Sequence, residues 1–477
     1  MLLVASCYFY MAFTPYYIFL IMAAIIVDYI IGILIETCRE QGKSNTKLLL
    51  GIGFFFPLLI LFVFKYYNFF NQSIIDIAKF LNLNYSPNIL NLILPVGISF
   101  YTFQTLGYVI DVYRGNQKAE RHLGIFSVYV MFFPQLVAGP IERSRNLLQQ
   151  FYEKHSFDYK RVTDGLKLMA WGFFKKMVIA DRIAVVVNEV YNNPGNYTGI
   201  HFIIATIFFT YQVYCDFSGY SDIAIGAAQV MGFRLMENFQ RPYFAKSIQE
   251  YWRRWHISLT SWFRDYVYIP LGGNRVVRWR WYFNVYVVFL ITGLWHGANW
   301  TFIIWGALHG LYSLFSIMTR NIRARATRFI SIDRVPMIKK IWQVGATFSL
   351  VNFGFILFRS NSISDAYYII THLFSGIDKL FYAIMSFDYQ MIKKLVIVTD
   401  TNALGIKPSK LFLPEMFIAI LAIIIMESVH LIQRKGSVRY LLSQKSAFLR
   451  WSIYYLLLLS IIFFGINTQN PFIYFQF

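Results

Sequence analysis

Apolar stretches long enough to cross a bilayer recur along the whole chain, and they leave few folds open to it. About 20 helical residues span the roughly 30 Å hydrocarbon core of a membrane. Runs near 16–36, 48–64, 92–110, 168–190, 201–232, 282–318, 341–358, 411–432 and 451–466 have the length and composition for this. In lipid every backbone N–H and C=O must be satisfied within the segment, so each run reads as a helix. The expected fold is all-α and polytopic, a single integral-membrane domain over residues 1–477. The 282–318 run is too long for one helix and is expected to fold as two, turning around Gly297, Ala298 and Asn299. The first residues lack a basic segment and run into further apolar ones, so no cleavable signal peptide is visible.

A net charge of +20 could suit nucleic acid. The basic residues, however, sit in short loops between apolar spans, which is the positive-inside pattern. Loop 37–47 carries Arg39, Lys43 and Lys47. Loop 320–340 sets Arg320, Arg323, Arg325, Arg328, Arg334, Lys339 and Lys340 against one acid, Asp333. Loop 434–450 carries Arg434, Lys435, Arg439, Lys445 and Arg450. All three are expected in the cytoplasm, with no nucleic-acid partner. The uncharged loop 191–200, the nearly charge-balanced segment 359–410 and the C-terminus are expected outside. An inner (cytoplasmic) membrane location follows. Cys7, Cys38 and Cys215 lack metal or disulfide spacing.

Two regions break the alternation. Segment 123–140 is apolar between two basic loops and carries Pro134, Gly139 and Pro140. A re-entrant segment shielded by protein would reconcile this. Region 234–280 is basic and rich in Trp and Tyr, and is expected as interfacial helices at the cytoplasmic surface. Within it, YWRRWHISLTSWFRDYVYIPLGGNR (251–275) surrounds His256 with arginines and aromatics. Read as one helix, 251–265 places Trp252, Trp255, Leu259 and Trp262 on a single stripe.

Ionisable groups at membrane depth are costly and usually face a cavity with a task. His256 and His296, the latter in LWHGANW, are the candidates for acid–base chemistry. The bland readings are an interfacial anchor for the first and a hydrogen-bonded core residue for the second. His309, in WGALHG, is the weaker third. The three lack zinc-motif spacing, and no metal is expected. There is no phosphate-cradling GxxxxGK[ST] loop and no GxSxG elbow. Cys215 beside Asp216 reads as packing.

The run YCDFSGYSDIAIGAAQVMGFRLMENFQRPYFAKSIQEYWRRWHISLTSWFRDYVYIPLGGNR, followed by LWHGANWTFIIWGALHG, resembles the membrane-bound O-acyltransferase family. The likeness is to its bacterial branch of alginate and peptidoglycan O-acetyltransferases and teichoic-acid D-alanine transfer proteins. ISFYTFQTLGYVIDVYRG and FFPQLVAGPIERSRNL match the same branch, so the resemblance covers about 90–310 and the tail at 467–477. It implies about 10–12 membrane helices, with re-entrant and interfacial helices, around a tunnel that holds His256 and His296. Branch members usually carry a further hydrophobic segment before the LLVASCYFY-like stretch. Either the start lies upstream of Met1 or that helix is dispensable.

The reaction so implied is O-acetylation of an envelope polysaccharide, peptidoglycan or an alginate-like exopolysaccharide, from cytoplasmic acetyl-CoA. Arg253, Arg254, Arg264, Arg275 and Arg278 would offer charge to the CoA phosphates, and His296, helped by His256, would act as general base. The ending NPFIYFQF holds one hydroxyl nucleophile, Tyr474. It resembles a C-terminal tyrosine motif that carries acyl groups in the D-alanine system, whereas its bland reading is an anchor at the outer interface. The chain offers no obvious extracytoplasmic catalytic domain, so an extracytoplasmic hydrolase-like O-acetyltransferase partner is implied, with membrane lipid as surroundings. The alternatives are D-alanine transfer to teichoic acid and, from another class, a proton-coupled transporter.

Overall fold

A computed structural model describes residues 1–388, 412–466 and 472–473, with backbone alone for 412–414 and Lys435. Every regular element among these residues is helical. The helices used below are α1 (Leu2–Met11), α2 (Tyr17–Glu40), α3 (46–80), α4 (Ile98–Tyr113), α5 (Leu123–Met131), α6 (159–192), α7 (Ile200–Met231), α8 (Ile248–Arg254), α9 (Ile257–Phe263), α10 (Arg278–His296), α11 (Trp300–Met318), α12 (Pro336–Arg359), α13 (Phe412–Ile432) and α14 (Ala447–Phe464). Seven helices among the described residues are long and apolar enough to cross a membrane: α2, α3, α7, α11, α12, α13 and α14. The expected span at 92–110 forms the 16-residue α4, enclosed by protein along almost its whole length. The 282–318 run does fold as two helices that part at 297–299.

α6 and α7 lie against each other through two glycine pairs. A Cβ on Gly226 would stand 2.6 Å from the Gly165 carbonyl oxygen, and one on Gly172 would stand 2.6 Å from that of Gly219. Small residues at matched positions let helices close to backbone contact, the main source of helix association where lipid removes the hydrophobic drive. Gly293 and Gly306 join α10 to α11 in the same way. Gly226→Ala is therefore expected to cost about 1–3 kcal/mol by forcing α6 and α7 apart. It should lower the melting temperature in detergent, whereas Gly345→Ala, which adds a methyl group in open space, should not.

Three helices carry a wide π turn, at Phe62–Tyr66 in α3, Phe174–Ala180 in α6 and Arg264–Tyr268 after α9. Such turns rotate the side chains that follow and often mark functional places. Here they hold Lys65, Lys175 with Lys176, and Asp265. Lys175 Nζ lies 2.7 Å from Asp222 and 2.9 Å from Ser218, and Lys176 Nζ lies 2.9 Å from Asp181 and 2.6 Å from Asp216. A paired ionic layer thus crosses the α6–α7 interface, as charges taken out of water require.

Segment 123–140 is broken helix inside protein. α5 ends at Phe132, whose ψ of 106° is not helical, and a single turn Phe133–Leu136 follows. The interrupted backbone is satisfied from the side: Tyr129 O accepts from Gln104 Nε2 at 2.6 Å and from Gln135 Nε2 at 3.1 Å. Residues 126–136 are buried apart from Phe133. Non-helical backbone survives at membrane depth where protein covers it.

The single helix expected over 251–265 is corrected to two, α8 and α9, with a π turn beyond them. Trp252, Trp255, Leu259 and Trp262 are all buried, so the stripe faces the protein core and does not anchor a headgroup layer. The break lies at His256 and brings the chain into the site.

Candidate active site

Trp255 is extended and His256 takes a left-handed conformation, φ 44° and ψ 56°. This conformation is uncommon outside glycine and costs on the order of 1–3 kcal/mol unless its surroundings enforce it. Asn238 supplies the enforcement. Its carbonyl oxygen accepts from Ile257 N at 3.0 Å, and its side-chain oxygen accepts from Ser258 N at 3.2 Å and Ser258 Oγ at 3.0 Å. Asn238 therefore caps α9 from a distance, and the reversal turns the His256 imidazole fully inward. Its ring meets Phe217 edge-on at 4.6 Å and lies 5.9 Å from Trp295.

His296 ends α10, and the carbonyls of that last turn are satisfied by α3. Tyr66 Oη donates to Leu294 O at 3.0 Å, and Lys65 Nζ donates to Trp295 O at 2.8 Å and His296 O at 3.2 Å. A cation at a helix C-terminus also matches the helix dipole. Gly297 then leaves the helix, and Asn299 caps α11 by accepting from Thr301 N at 3.0 Å. His296 is buried, with ring centroids 5.0 Å from Trp295, 5.1 Å from Trp305 and 5.3 Å from Phe358. His256 and His296 thus share Trp295 as a common neighbour from opposite ends of the 251–296 segment.

His309 joins the same aromatic layer through Trp305 at 4.8 Å and Trp252 at 5.2 Å. Its Nε2 occupies the space that a Cβ on Gly354 would need, so it wedges α11 against α12. Among the described residues no group of three His, Cys, Asp or Glu side chains stands together as a metal site would require. Cys215 packs on Met426, Sγ to Sδ 3.4 Å.

The described residues beyond α14 are held by protein. Ile466 N donates to Met177 O at 3.1 Å, and further on Phe472 and Ile473 are buried. The Phe472 ring lies 5.2 Å from Tyr220 and 5.8 Å from Phe217, the residue against His256. Ile473 N donates to Asp216 Oδ2 at 2.7 Å. Tyr474 lies outside the described residues. Buried neighbours in the protein core do not suit an outer-interface anchor for this part of the tail.

Four of the five arginines are exposed, and Arg254 is half-buried. Arg254 pairs with Glu250, and Arg264 Nε bonds Asp265 at 2.8 Å. Arg253, Arg275 and Arg278 are exposed.

Four residues escaped the reading of the sequence: Lys65, Asn238, Asp216 and Arg359. Lys65 was the most accessible of them, as the one cation between Lys47 and Lys79 at the two ends of the 46–80 run. Asp216 carries the same signal inside the 201–232 run, read above only as the neighbour of Cys215, and nothing local marks Asn238 or Arg359.

Residues 122–358 match the model of the membrane-bound O-acyltransferase family. The chain is 40% identical over 368 residues to a Pseudomonas syringae protein named "Probable alginate O-acetylase AlgI", covering 77% of this chain and 68% of that one. It is 34% identical over 393 residues to a peptidoglycan O-acetyltransferase of Helicobacter pylori, covering 76% and 71%. To a teichoic acid D-alanyltransferase of Streptococcus thermophilus it is 28% identical over 308 residues, covering 60% and 72%.

Proposed function

The chain belongs to the membrane-bound O-acyltransferase family, and we propose that it passes acetyl groups from cytoplasmic acetyl-CoA through the inner membrane for O-acetylation of an envelope polysaccharide. Acetyl transfer is favoured over D-alanine transfer by the higher identity to relatives named for O-acetylation. The surface arginines Arg253, Arg275 and Arg278, which keep their charge exposed, meet the CoA phosphates, with Arg254 and Arg264 beside them.

His296 is the general base and His256 its helper. The observation that carries the acyl-tyrosine step is the seating of the tail: Ile473 is bonded to Asp216 and Phe472 packs on the neighbour of His256. Tyr474 is the next residue, one Cα step of about 3.8 Å away. The imidazole takes the phenol proton, the phenolate oxygen attacks the thioester carbonyl, and the C–S bond breaks. The CoA sulfur leaves as thiolate and recovers the proton from the imidazolium. The product is O-acetyl-tyrosine, and an extracytoplasmic transferase moves the acetyl group to a sugar hydroxyl, restoring the phenol.

The test is incubation of the purified chain in detergent with acetyl-labelled acetyl-CoA, followed by peptide mass spectrometry. Label on the tail peptide is expected. Acetyl-CoA turnover with no label on the chain would replace the tyrosine step by direct transfer. Absence of turnover, with D-alanine accepted instead, would overturn the choice of cargo.

A further inference from the structure

The connection between α11 and α12 contains a helix with no protein face. It runs over Arg320–Phe329, and none of its ten residues is buried. An isolated helix shorter than roughly 12–15 residues is marginal in water. Arg320 and Arg323, and Arg325 and Arg328, are like charges one turn apart, which weakens it further. Arg323 ties only its start to α11: Nη2 donates to Ser316 O at 2.6 Å and Nε to Thr319 Oγ1 at 3.1 Å. The rest of the helix has to be completed by a surface outside the chain.

The pattern of the helix describes that surface. Ile322, Ala326 and Phe329 recur at i, i+4 and i+7 and form one apolar face. Ile322 and Phe329 are 66% and 90% exposed. The helical register sets Arg323 and Arg325 on the two flanks of this face and Arg320 and Arg328 beyond them. Asp333, the one acid of 320–340, is already paired with Lys339. The connection therefore holds no unpaired acid for these arginines. Both neighbours, α11 and α12, are long and apolar enough to cross a membrane, so the helix between them is kept within reach of headgroups. Trp342, early in α12, is exposed, as suits a residue at a membrane–water boundary. We infer that Arg320–Phe329 lies in the headgroup layer of the cytoplasmic leaflet and binds its anionic phospholipids. Ile322 and Phe329 enter the acyl boundary and the arginines meet the phosphates. The choice of leaflet follows the loop charges, and none of this depends on which acyl group the chain carries.

The experiment is hydrogen–deuterium exchange of the full chain in nanodiscs of phosphatidylcholine, alone or mixed with an equal share of phosphatidylglycerol. A basic residue near an anionic surface contributes about five-fold in affinity. The amides of Arg320–Phe329 are therefore expected to exchange roughly ten-fold or more slowly with phosphatidylglycerol present, and the difference should shrink as salt is raised. Arg320→Gln, Arg325→Gln and Arg328→Gln together should abolish the slowing. Ile322→Ser with Phe329→Ser keeps every charge and should abolish it too, which separates entry into a bilayer from pairing with a soluble polyanion. Exchange across α7 checks that each variant is folded, and the comparison of the two lipids on the unaltered chain stands without any variant. Equal exchange in both lipids, or slowing that survives either set of substitutions in a folded chain, would overturn the assignment. Equal slowing by poly-glutamate in detergent micelles would also overturn it, in favour of an acidic protein partner.

Discussion

Replacing His296 by alanine is expected to slow acetyl-CoA consumption by about 10²–10⁴-fold, the usual contribution of a positioned general base. The argument is one of placement. His296 is the last residue of a helix whose terminal carbonyls are held by Lys65 and Tyr66, and its ring is enclosed by Trp295, Trp305 and Phe358. Such a side chain has little freedom, so its loss removes a prepositioned group. Because alanine also leaves a cavity, His296→Asn is the companion variant, closer in size and without a basic ring. Both should fall together in rate, while the melting temperature falls mainly for alanine. A rate within a few-fold of wild type in a folded His296→Asn protein would remove His296 from the chemistry. His309, wedged between α11 and α12, is expected to show the opposite balance, with His309→Ala costing stability more than rate.

Tyr474→Phe is expected to abolish covalent labelling of the chain and acetylation of the polymer while insertion and folding stay intact. Phenylalanine keeps the aromatic ring and loses only the nucleophilic oxygen. Normal polymer acetylation in this variant would end the tyrosine relay. The seat of the tail gives a second handle, although Asp216 also pairs with Lys176 and its loss is expected to lower the melting temperature as well. Asp216→Ala removes a charged acceptor from Ile473 N–H, an interaction of about 1.5–3 kcal/mol. Labelling should slow by roughly ten- to a hundred-fold on that basis. Asp216→Asn, which keeps an acceptor oxygen, should lose less.

Much of this was legible in the sequence. Hydropathy is a local property, and the runs that read as helices at 16–36, 201–232 and 341–358 form helices at Tyr17–Glu40, Ile200–Met231 and Pro336–Arg359. Gly297 and Asn299 punctuate the 282–318 run where α10 and α11 part. The two histidines stood out because lipid penalises idle ionisable groups. The helical period misled at 251–265, since the aromatic spacing fits a continuous helix and the residue that breaks it, Asn238, is far enough upstream to leave no local trace.

The sequence by itself determined the class of fold and the family, and it singled out the histidines as candidates, because apolar length, loop charge and motif order are written along one dimension. Only the tertiary structure decided what surrounds them. A cavity of about 550 Å³ draws Lys65, Asn188, Asn299 and Arg359 from four distant parts of the chain, and the tail finds Asp216 across 257 residues. Such meetings depend on how helices pack, through the glycine contacts of α6 with α7 and α10 with α11 and through π turns that re-aim lysines. Close packing is set by side-chain shape between elements that no local pattern links.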